Sequence, residues 1–249
     1  MRPEFSGLFV IYKLYASYLH AYYCCLTKQN KYMNRSKRNT TRPVALIIIA
    51  VIFCMFIGFN VSRTYTTAVK ERQEKELIDS TKLKLDSVRV NIISAMDNYI
   101  YEVAPGTQIN SEVLFDLCDV YNVDVRFAMA QAQVESHYAT KGTARKTKSV
   151  FNVGAYDGHS ARRQIRNGFG YADPNDSIEP YLILITTDYL VNGKTINDLM
   201  CNYVNKYNMR YASDKRYERM LRNVYNRINK NTDLDILITA YNTYKEIIG

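Results

Sequence analysis

The chain has 249 residues and a formal net charge of +9, from 33 basic and 24 acidic side chains. Its hydrophobic fraction of 47%, with 22 Tyr and 9 Phe, is enough for a folded core and excludes global disorder. Residues 1–62 carry a net charge of +7 and residues 106–249 only +2, which excludes a basic nucleic-acid-binding domain in the C-terminal part. The five Cys and three His lack the spacing of a disulfide scaffold or metal site, so no metal or cofactor is expected.

An uncharged run, VALIIIAVIFCMFIGF, follows Pro43 and predicts a transmembrane signal anchor over residues 43–61. Basic residues are concentrated in the segment before it, residues 1–42, so this segment is expected in the cytoplasm and everything after residue 61 outside. The chain is thus expected to be a single-pass membrane protein that contacts the lipid bilayer through residues 43–61. A cleaved signal peptide is the alternative, although no A-x-A-like site follows. Met33 opens an ordinary basic leader for this anchor, and we hypothesise that it is the biological start.

Residues 62–105 are charged, with Leu, Val and Ile recurring at roughly helical intervals, and predict a helical stalk. Ala104-Pro105-Gly106 is expected to end the helix. The pattern leaves two alternatives open. The whole segment is a spacer leading away from the membrane, or its C-terminal half packs on the following domain as a first helix.

Residues 106–249 predict a mostly helical α+β domain. Asn110 or Ser111 is expected to cap one helix and Asp124 a second, over residues 125–138. Residues 139–175 are rich in Gly and basic residues, and the dipeptide Asn167-Gly168 predicts a small β-hairpin insertion with a type I′ turn. Helical patterns resume at Asp176 or Ser177 and continue to the C-terminus.

Glu135 is the candidate for chemistry within the second of these helices. It follows a stretch of small and apolar residues, FAMAQAQV, so it is expected at the edge of the core. Partial burial raises the pKa of a carboxyl group, and a protonated carboxyl is what a general acid for glycosidic bonds requires. Position alone is weak support, because a Glu near a helix end is usually just solvated.

The segment AQAQVESHYAT, residues 130–140, resembles the catalytic helix of peptidoglycan glucosaminidases of glycoside hydrolase family 73, which belong to the lysozyme-like superfamily. Three further segments resemble motifs of that family in the same order: SVFNVG from Ser149, the stretch from Tyr171 through SIEPY, and YASDKRY from Tyr211. Four ordered matches are more specific than any one of them. The resemblance implies a lysozyme-like fold and an endo-N-acetylglucosaminidase that cleaves β-1,4 bonds of peptidoglycan glycan strands.

By this resemblance Glu135 is the general acid and Tyr211 is the family tyrosine of the catalytic centre. The residues expected to line or support the glycan groove are Tyr138, Phe151, Asn152, Tyr171, Ser177 and Tyr207. Tyr138 stands where the family usually has Trp, and Asn152 stands where it has Gly. The expected partner is the glycan strand, with no obligate protein partner and no nucleic acid.

The main departure from the family pattern concerns the second carboxylate, which the family often has in its β insertion. Asp157 is the only acidic residue within residues 139–172 and is the candidate, although an Asx turn before Gly158 would also explain it. Without it, the 2-acetamido group of the substrate attacks the anomeric carbon, or a 1,6-anhydro product forms. A muramidase or lytic transglycosylase on the same fold remains an alternative, as does a catalytically inactive wall-binding module.

Basic residues also cluster around the predicted hairpin, from Lys141 to Arg166. Such clusters are usually solvated faces. A functional alternative is that this one attracts an anionic cell-wall polymer.

Overall fold

The computed structural model describes Cys24 and residues 41–154, 160–168 and 170–249, with side chains in the long helix from residue 48 onward. The chain divides into two compact units, residues 1–71 and 72–249. The first helix, α1, spans Thr41–Val103 and contributes to both.

In the first unit, the apolar side chains of α1 face outward all round. Ile49, Phe53 and Phe56 are each more than 60% exposed. Within the described residues, the helix segment Ile48–Val103 is long and apolar enough to cross a membrane, judged by length and composition alone. Such a fully exposed apolar surface is compatible with a single membrane span.

In the second unit, the C-terminal part of α1 belongs to the core. Ile92, Met96, Tyr99 and Ile100 recur on one face and are at most 3% exposed. Arg89 forms ion pairs with Glu112 at 2.9 Å and with Asp116 at 2.7 Å. Of the two alternatives for this segment, the structure therefore has the packed arrangement for its last turns.

The next two helices begin at the expected caps. Helix α2, Ser111–Val120, is capped by Asn110, whose side-chain oxygen accepts from the backbone N–H groups of the first turn. Helix α3, Val125–Ser136, is capped in the same way by Asp124. It ends two residues earlier than predicted, because residues 137–139 take up left-handed backbone angles with φ from 53° to 61°.

The predicted β-hairpin is wrong. Helix α4, Ala144–Thr147, and helix α5, Ala161–Arg166, occupy the basic segment. Ser160 caps α5 by accepting from the backbone N–H of Arg163, and Asn167 ends it with its own N–H bonded to carbonyls of the last turn. Gly168 follows with φ of 84°. Asn-Gly thus supplies the left-handed residue that terminates a helix instead of a type I′ turn.

The remaining elements of the described chain are mainly helices. A 3₁₀ turn, Pro174–Ser177, leads into α6, Ile178–Leu184, and a π-helical turn, Ile185–Tyr189. Helices α7, α8 and α9 span Ile196–Cys201, Tyr217–Asn231 and Leu234–Ile248. The β pairing in the described part of the chain is an isolated antiparallel bridge between Val204 and Arg210. The domain is therefore mostly helical, which is consistent with the lysozyme-like expectation but not with its β insertion.

Helix α3 lies at the centre of the domain. Six consecutive residues are at most 1% exposed, and they are Phe127, Ala128, Met129, Ala130, Gln131 and Ala132. It packs mainly against α8 and also against α2. Six consecutive buried residues exceed one helical turn, so this part of α3 is buried on all sides, and this central position determines where its last turn emerges.

Candidate functional site

Glu135 lies in the last turn of α3, where the helix leaves the core. Its side chain is half-buried, whereas residues 127–132 of the same helix are at most 1% exposed. The left-handed residues that follow, His137 to Ala139, turn the chain away from the helix axis. The carboxyl group is therefore placed at the boundary between a packed interior and the surface.

Two side chains from distant parts of the sequence contact Glu135. The Tyr217 hydroxyl donates a hydrogen bond to Oε1 at 2.5 Å. The Asn152 amide Nδ2 donates to the backbone carbonyl of Glu135 at 2.8 Å and lies 3.4 Å from Oε2. Tyr217 is the first residue of α8 and Asn152 lies after α4, so three separate segments meet at this carboxyl group.

Burial raises the pKa of Glu135 above its usual value. The hydrogen bonds from Tyr217 and Asn152 stabilise the carboxylate and act in the opposite direction, but they do not outweigh the burial. Burial also raises the pKa of Tyr217 well above its usual value, so this phenol stays protonated and remains a donor. The result is a carboxyl group that keeps its proton to higher pH than an exposed Glu does, as a general acid requires.

Tyr211 is held beside Glu135 by a cluster of tyrosines. Its hydroxyl donates to the backbone carbonyl of Phe151 at 3.0 Å. Its ring stacks on that of Tyr203, with 4.7 Å between centroids, and lies 5.7 Å from that of Tyr217. We call Tyr189, Tyr203, Tyr211 and Tyr217 the tyrosine cluster. Burial raises the pKa of Tyr211 well above its usual value, and the negative charge of Glu135 raises it further. Tyr217, which bonds Glu135, therefore links Tyr211 to the carboxyl group.

Gln131 is a buried hydrogen-bond acceptor shared by two tyrosines. It lies one turn before Glu135 on α3 and is 0% exposed. Its Oε1 accepts hydrogen bonds from the hydroxyls of Tyr181 and Tyr203, both at 2.7 Å. The Tyr181 ring in turn stacks on Phe151 at 3.6 Å. One buried amide therefore fixes two of the rings that support the site.

The loop that carries Phe151 and Asn152 is fixed through Val150. The backbone N–H of Val150 donates to Ser177 Oγ at 3.0 Å, and its carbonyl accepts from Ser136 Oγ at 2.5 Å. Ser177 Oγ also donates to the carbonyl of Pro174 at 2.7 Å. The loop is thus tied to α3 on one side and to the start of α6 on the other.

Of the six sequence-predicted groove residues, Asn152 contacts Glu135 directly, and the other five fall into two groups. Tyr138, Phe151 and Ser177 are at most 1% exposed and support the site from the interior. A direct contact between Tyr138 and a substrate is not consistent with this burial, although the bulky ring still fills the core where the family usually has Trp. Tyr171 is half-buried and Tyr207 is 67% exposed, and none of their described contacts joins them to Glu135.

Asp157 lies outside the described residues. Among the residues that the structure describes, no carboxylate hydrogen-bonds to Glu135 or shifts its pKa. The same residues contain no group of three His, Cys, Asp or Glu that could hold a metal ion.

The sequence reasoning missed two residues of the site, Tyr217 and Gln131. Tyr217 closes the YASDKRY segment, and Gln131 lies in the AQAQVES segment, so both were inside segments already singled out. Their roles depend on hydrogen bonds that span 82 and 50 or more residues. Sequence position alone does not reveal such contacts.

A cavity of about 620 Å³ lies near the opposite end of α3. Its lining includes Asp124, Arg126 and Tyr225 but not Glu135. Asp124 already pairs with Arg126 at 2.7 Å and accepts from the Tyr225 hydroxyl at 3.0 Å. Because these groups satisfy one another, the chemically distinctive group of the domain remains Glu135.

Comparison with known families gives a match over residues 112–230. The matching family model is described as Glucosaminidase, mannosyl-glycoprotein endo-beta-N-acetylglucosaminidase. The matched range contains Glu135, Asn152, Tyr211 and Tyr217. Neither a search of curated proteins nor a search of solved structures returned a match.

Proposed function

Residues 112–230 are a glycoside hydrolase domain of the glucosaminidase family, family 73, and on this premise we propose a membrane-anchored peptidoglycan hydrolase with Glu135 as its general acid. The family supports endo-β-N-acetylglucosaminidase activity on peptidoglycan. The proposed enzyme cleaves the β-1,4 bond on the N-acetylglucosamine side of the strand.

The contact that supports this role for Glu135 is the hydrogen bond from Tyr217. Because the Tyr217 hydroxyl donates to Oε1, the proton of the neutral carboxyl group resides on Oε2. Oε2 delivers that proton to the glycosidic oxygen as the bond to the anomeric carbon breaks. The resulting negative charge on Oε2 lies 3.4 Å from the Asn152 amide, which stabilises it.

The second step has two candidate routes. In the first, Asp157 is the base that activates water on the opposite face of the sugar. In the second, the 2-acetamido group of the substrate attacks the anomeric carbon and no second carboxylate is needed. The Tyr211 hydroxyl bonds to the Phe151 carbonyl, and its ring lies 5.7 Å from that of Tyr217, which bonds Glu135. We propose that it borders the reacting sugar in both routes.

The anchor is proposed over residues 43–61, with residues 1–42 in the cytoplasm and the catalytic domain on the extracytoplasmic side. The excess of basic residues before the apolar segment supports this orientation. The exposed apolar side chains from residue 48 onward support contact with lipid.

The experiment is a comparison of the full chain, purified in detergent, with its Glu135→Gln variant on insoluble peptidoglycan. Wild type is expected to clear peptidoglycan in a zymogram and to release fragments with N-acetylglucosamine reducing ends, identified by mass spectrometry. Muramic acid ends would instead identify a muramidase, and anhydro-muramic acid ends a lytic transglycosylase. Clearing by the Glu135→Gln variant at the wild-type rate would refute the role of Glu135.

A non-catalytic wall-binding module is the second candidate. The observation that favours it is that no carboxylate in the described part of the chain accompanies Glu135. In that case wild type binds peptidoglycan in a pelleting assay but releases no fragments.

A further inference from the structure

The positive charge of the domain is concentrated in the segment that follows Glu135 in the sequence. Residues 139–172 carry seven basic side chains and one acidic side chain, a net charge of +6. The rest of residues 106–249 carries 11 basic and 15 acidic side chains, a net charge of −4. The domain is therefore nearly neutral overall but has its positive and negative charges in different parts of the chain. The positive charges lie on α4, α5 and their flanking loops.

We call the basic surface the side chains of Lys141, Arg145, Lys146, Lys148, Arg162, Arg163 and Arg166. Six of the seven are exposed, and Lys148 is half-buried. The ion pairs of the described residues all involve other basic side chains. The only described hydrogen bond from these seven side chains runs from Lys148 Nζ to the neutral Gln108. Like charges on one surface repel each other when, as among the described residues here, no ion pair neutralises them, so an anionic partner would be stabilised here.

The segment that carries the basic surface begins next to the last turn of α3 and leads to the loop that contacts Glu135. The backbone N–H of Lys141 donates to the carbonyl of Ser136 at 3.0 Å, next to Glu135. Helix α4 packs against α5 and leads directly into the loop that presents Asn152 to Glu135. A polymer that places a bond at Glu135 therefore brings its neighbouring substituents towards this surface.

We propose that the basic surface binds the carboxylates of the peptide stems of the strand being cleaved. This inference rests on the proposed function, since it takes the occupant of the site to be peptidoglycan. The N-acetylglucosamine units of the strand are uncharged, whereas the peptide stems carry carboxylates. Four of the seven residues are Arg, whose planar guanidinium pairs with a carboxylate through two parallel hydrogen bonds. The surface thus selects strands that still carry stems.

The test measures binding in the Glu135→Gln background, so that cleavage does not remove the ligand. The surface variant adds the substitutions Arg162→Gln, Arg163→Gln and Arg166→Gln. The control variant removes three equal charges from exposed positions of α1 that form no described ion pair, through Lys75→Gln, Lys82→Gln and Lys84→Gln. Each full-chain protein is pelleted with intact peptidoglycan and with peptidoglycan stripped of its stems by an amidase.

The surface variant is expected to bind intact peptidoglycan roughly tenfold more weakly than the control variant, from three exposed ion pairs lost. On stripped peptidoglycan the two variants are expected to bind equally. If the surface variant has lost its helical circular dichroism, a second variant, Arg145→Gln with Lys146→Gln on α4, replaces it with the same expected pattern at smaller magnitude.

Several results would overturn the inference. One is equal binding of intact and stripped peptidoglycan by the Glu135→Gln protein. Another is a loss that persists on stripped peptidoglycan and disappears once phosphate-containing wall polymers are removed, which would assign the surface to phosphate groups. A third is a loss of binding by the surface variant that appears when vesicles of anionic lipid replace peptidoglycan in the pelleting assay and does not appear with intact peptidoglycan. The proposed function fails separately, through fragment release that does not depend on Glu135, and stem-dependent binding would survive that failure.

Discussion

The Tyr217 hydroxyl donates a 2.5 Å hydrogen bond to Oε1 of Glu135, joining the first turn of α8 to the last turn of α3. Both groups have raised pKa values, chiefly because they are buried. This pair therefore combines a proton that is retained to higher pH than on an exposed Glu with a fixed orientation of the carboxyl group that carries it. The predictions that follow change this pair or its supports one at a time.

Glu135→Gln is expected to lower the rate of fragment release by a factor of about 10² to 10⁴, the usual contribution of a general acid. Because burial raises the folded-state pKa of Glu135, the folded protein is stabilised by this group at low pH, and that stabilisation is lost as pH rises through the folded pKa. The variant should therefore equal wild type in stability below about pH 4 and exceed it at higher pH. Urea denaturation across pH measures this, with the exposed Glu246→Gln as the control.

Tyr217→Phe is expected to move the upper limb of the pH–activity profile to higher pH. The Tyr217 hydrogen bond stabilises the carboxylate and lowers the pKa of Glu135, so its removal raises that pKa and keeps the acid protonated further into the alkaline range. Tyr225→Phe is the matched control, since it removes a hydroxyl on the same helix that bonds to Asp124 instead. An unshifted profile for Tyr217→Phe would mean that Glu135 does not set that limb.

Asn152→Gly is expected to shift the same limb in the same direction, but by less, because its amide lies 3.4 Å from Oε2. Asn152 has φ of 49°, which Gly adopts without strain. The lost bond to the Glu135 carbonyl is expected to cost about 0.5–1.5 kcal/mol of unfolding free energy. Asn192→Gly, at an exposed position with φ of 58°, is the control for the backbone effect alone. A larger shift than that of Tyr217→Phe would contradict the geometry.

Gln131→Met is expected to destabilise the domain through the two tyrosine hydroxyls that it leaves buried without an acceptor. Each such loss costs about 1–3 kcal/mol, and chemical denaturation measures the total. Gln133→Met is the comparison, since half-buried Gln133 accepts from only one hydroxyl, that of Tyr99 at 2.9 Å. Equal destabilisation by the two variants would argue against the role of Gln131 as a shared acceptor.

Local signals in the sequence predicted the parts of this structure that local chemistry determines. The caps at Asn110 and Asp124 and the burial of α3 before Glu135 follow from side chains within a few residues of each position. The hairpin prediction failed because Asn167-Gly168 suits two structures equally well, a type I′ turn and the end of a helix. Ser160, which caps α5, was the signal that distinguishes them.

Long-range contacts were beyond the sequence reasoning. Nothing in the α1 pattern says whether Ile92 and Met96 face solvent or a core, because both choices share the same helical spacing. The Tyr217 bond to Glu135 depends on how α3 and α8 pack. The residue types in the sequence therefore indicated Glu135 as the acid, whereas the packing of α3 against α8 determines that Tyr217 orients it.

The tyrosine cluster also gives the protein an intrinsic optical signal. The chain has no Trp, so its ultraviolet emission comes from tyrosine alone. A phenol bonded to a carboxylate emits weakly, because the excited phenol passes its proton to that acceptor. Tyr217 emission is therefore expected to be quenched while its hydroxyl is bonded to ionised Glu135, and a ligand that breaks this bond is expected to increase the tyrosine fluorescence.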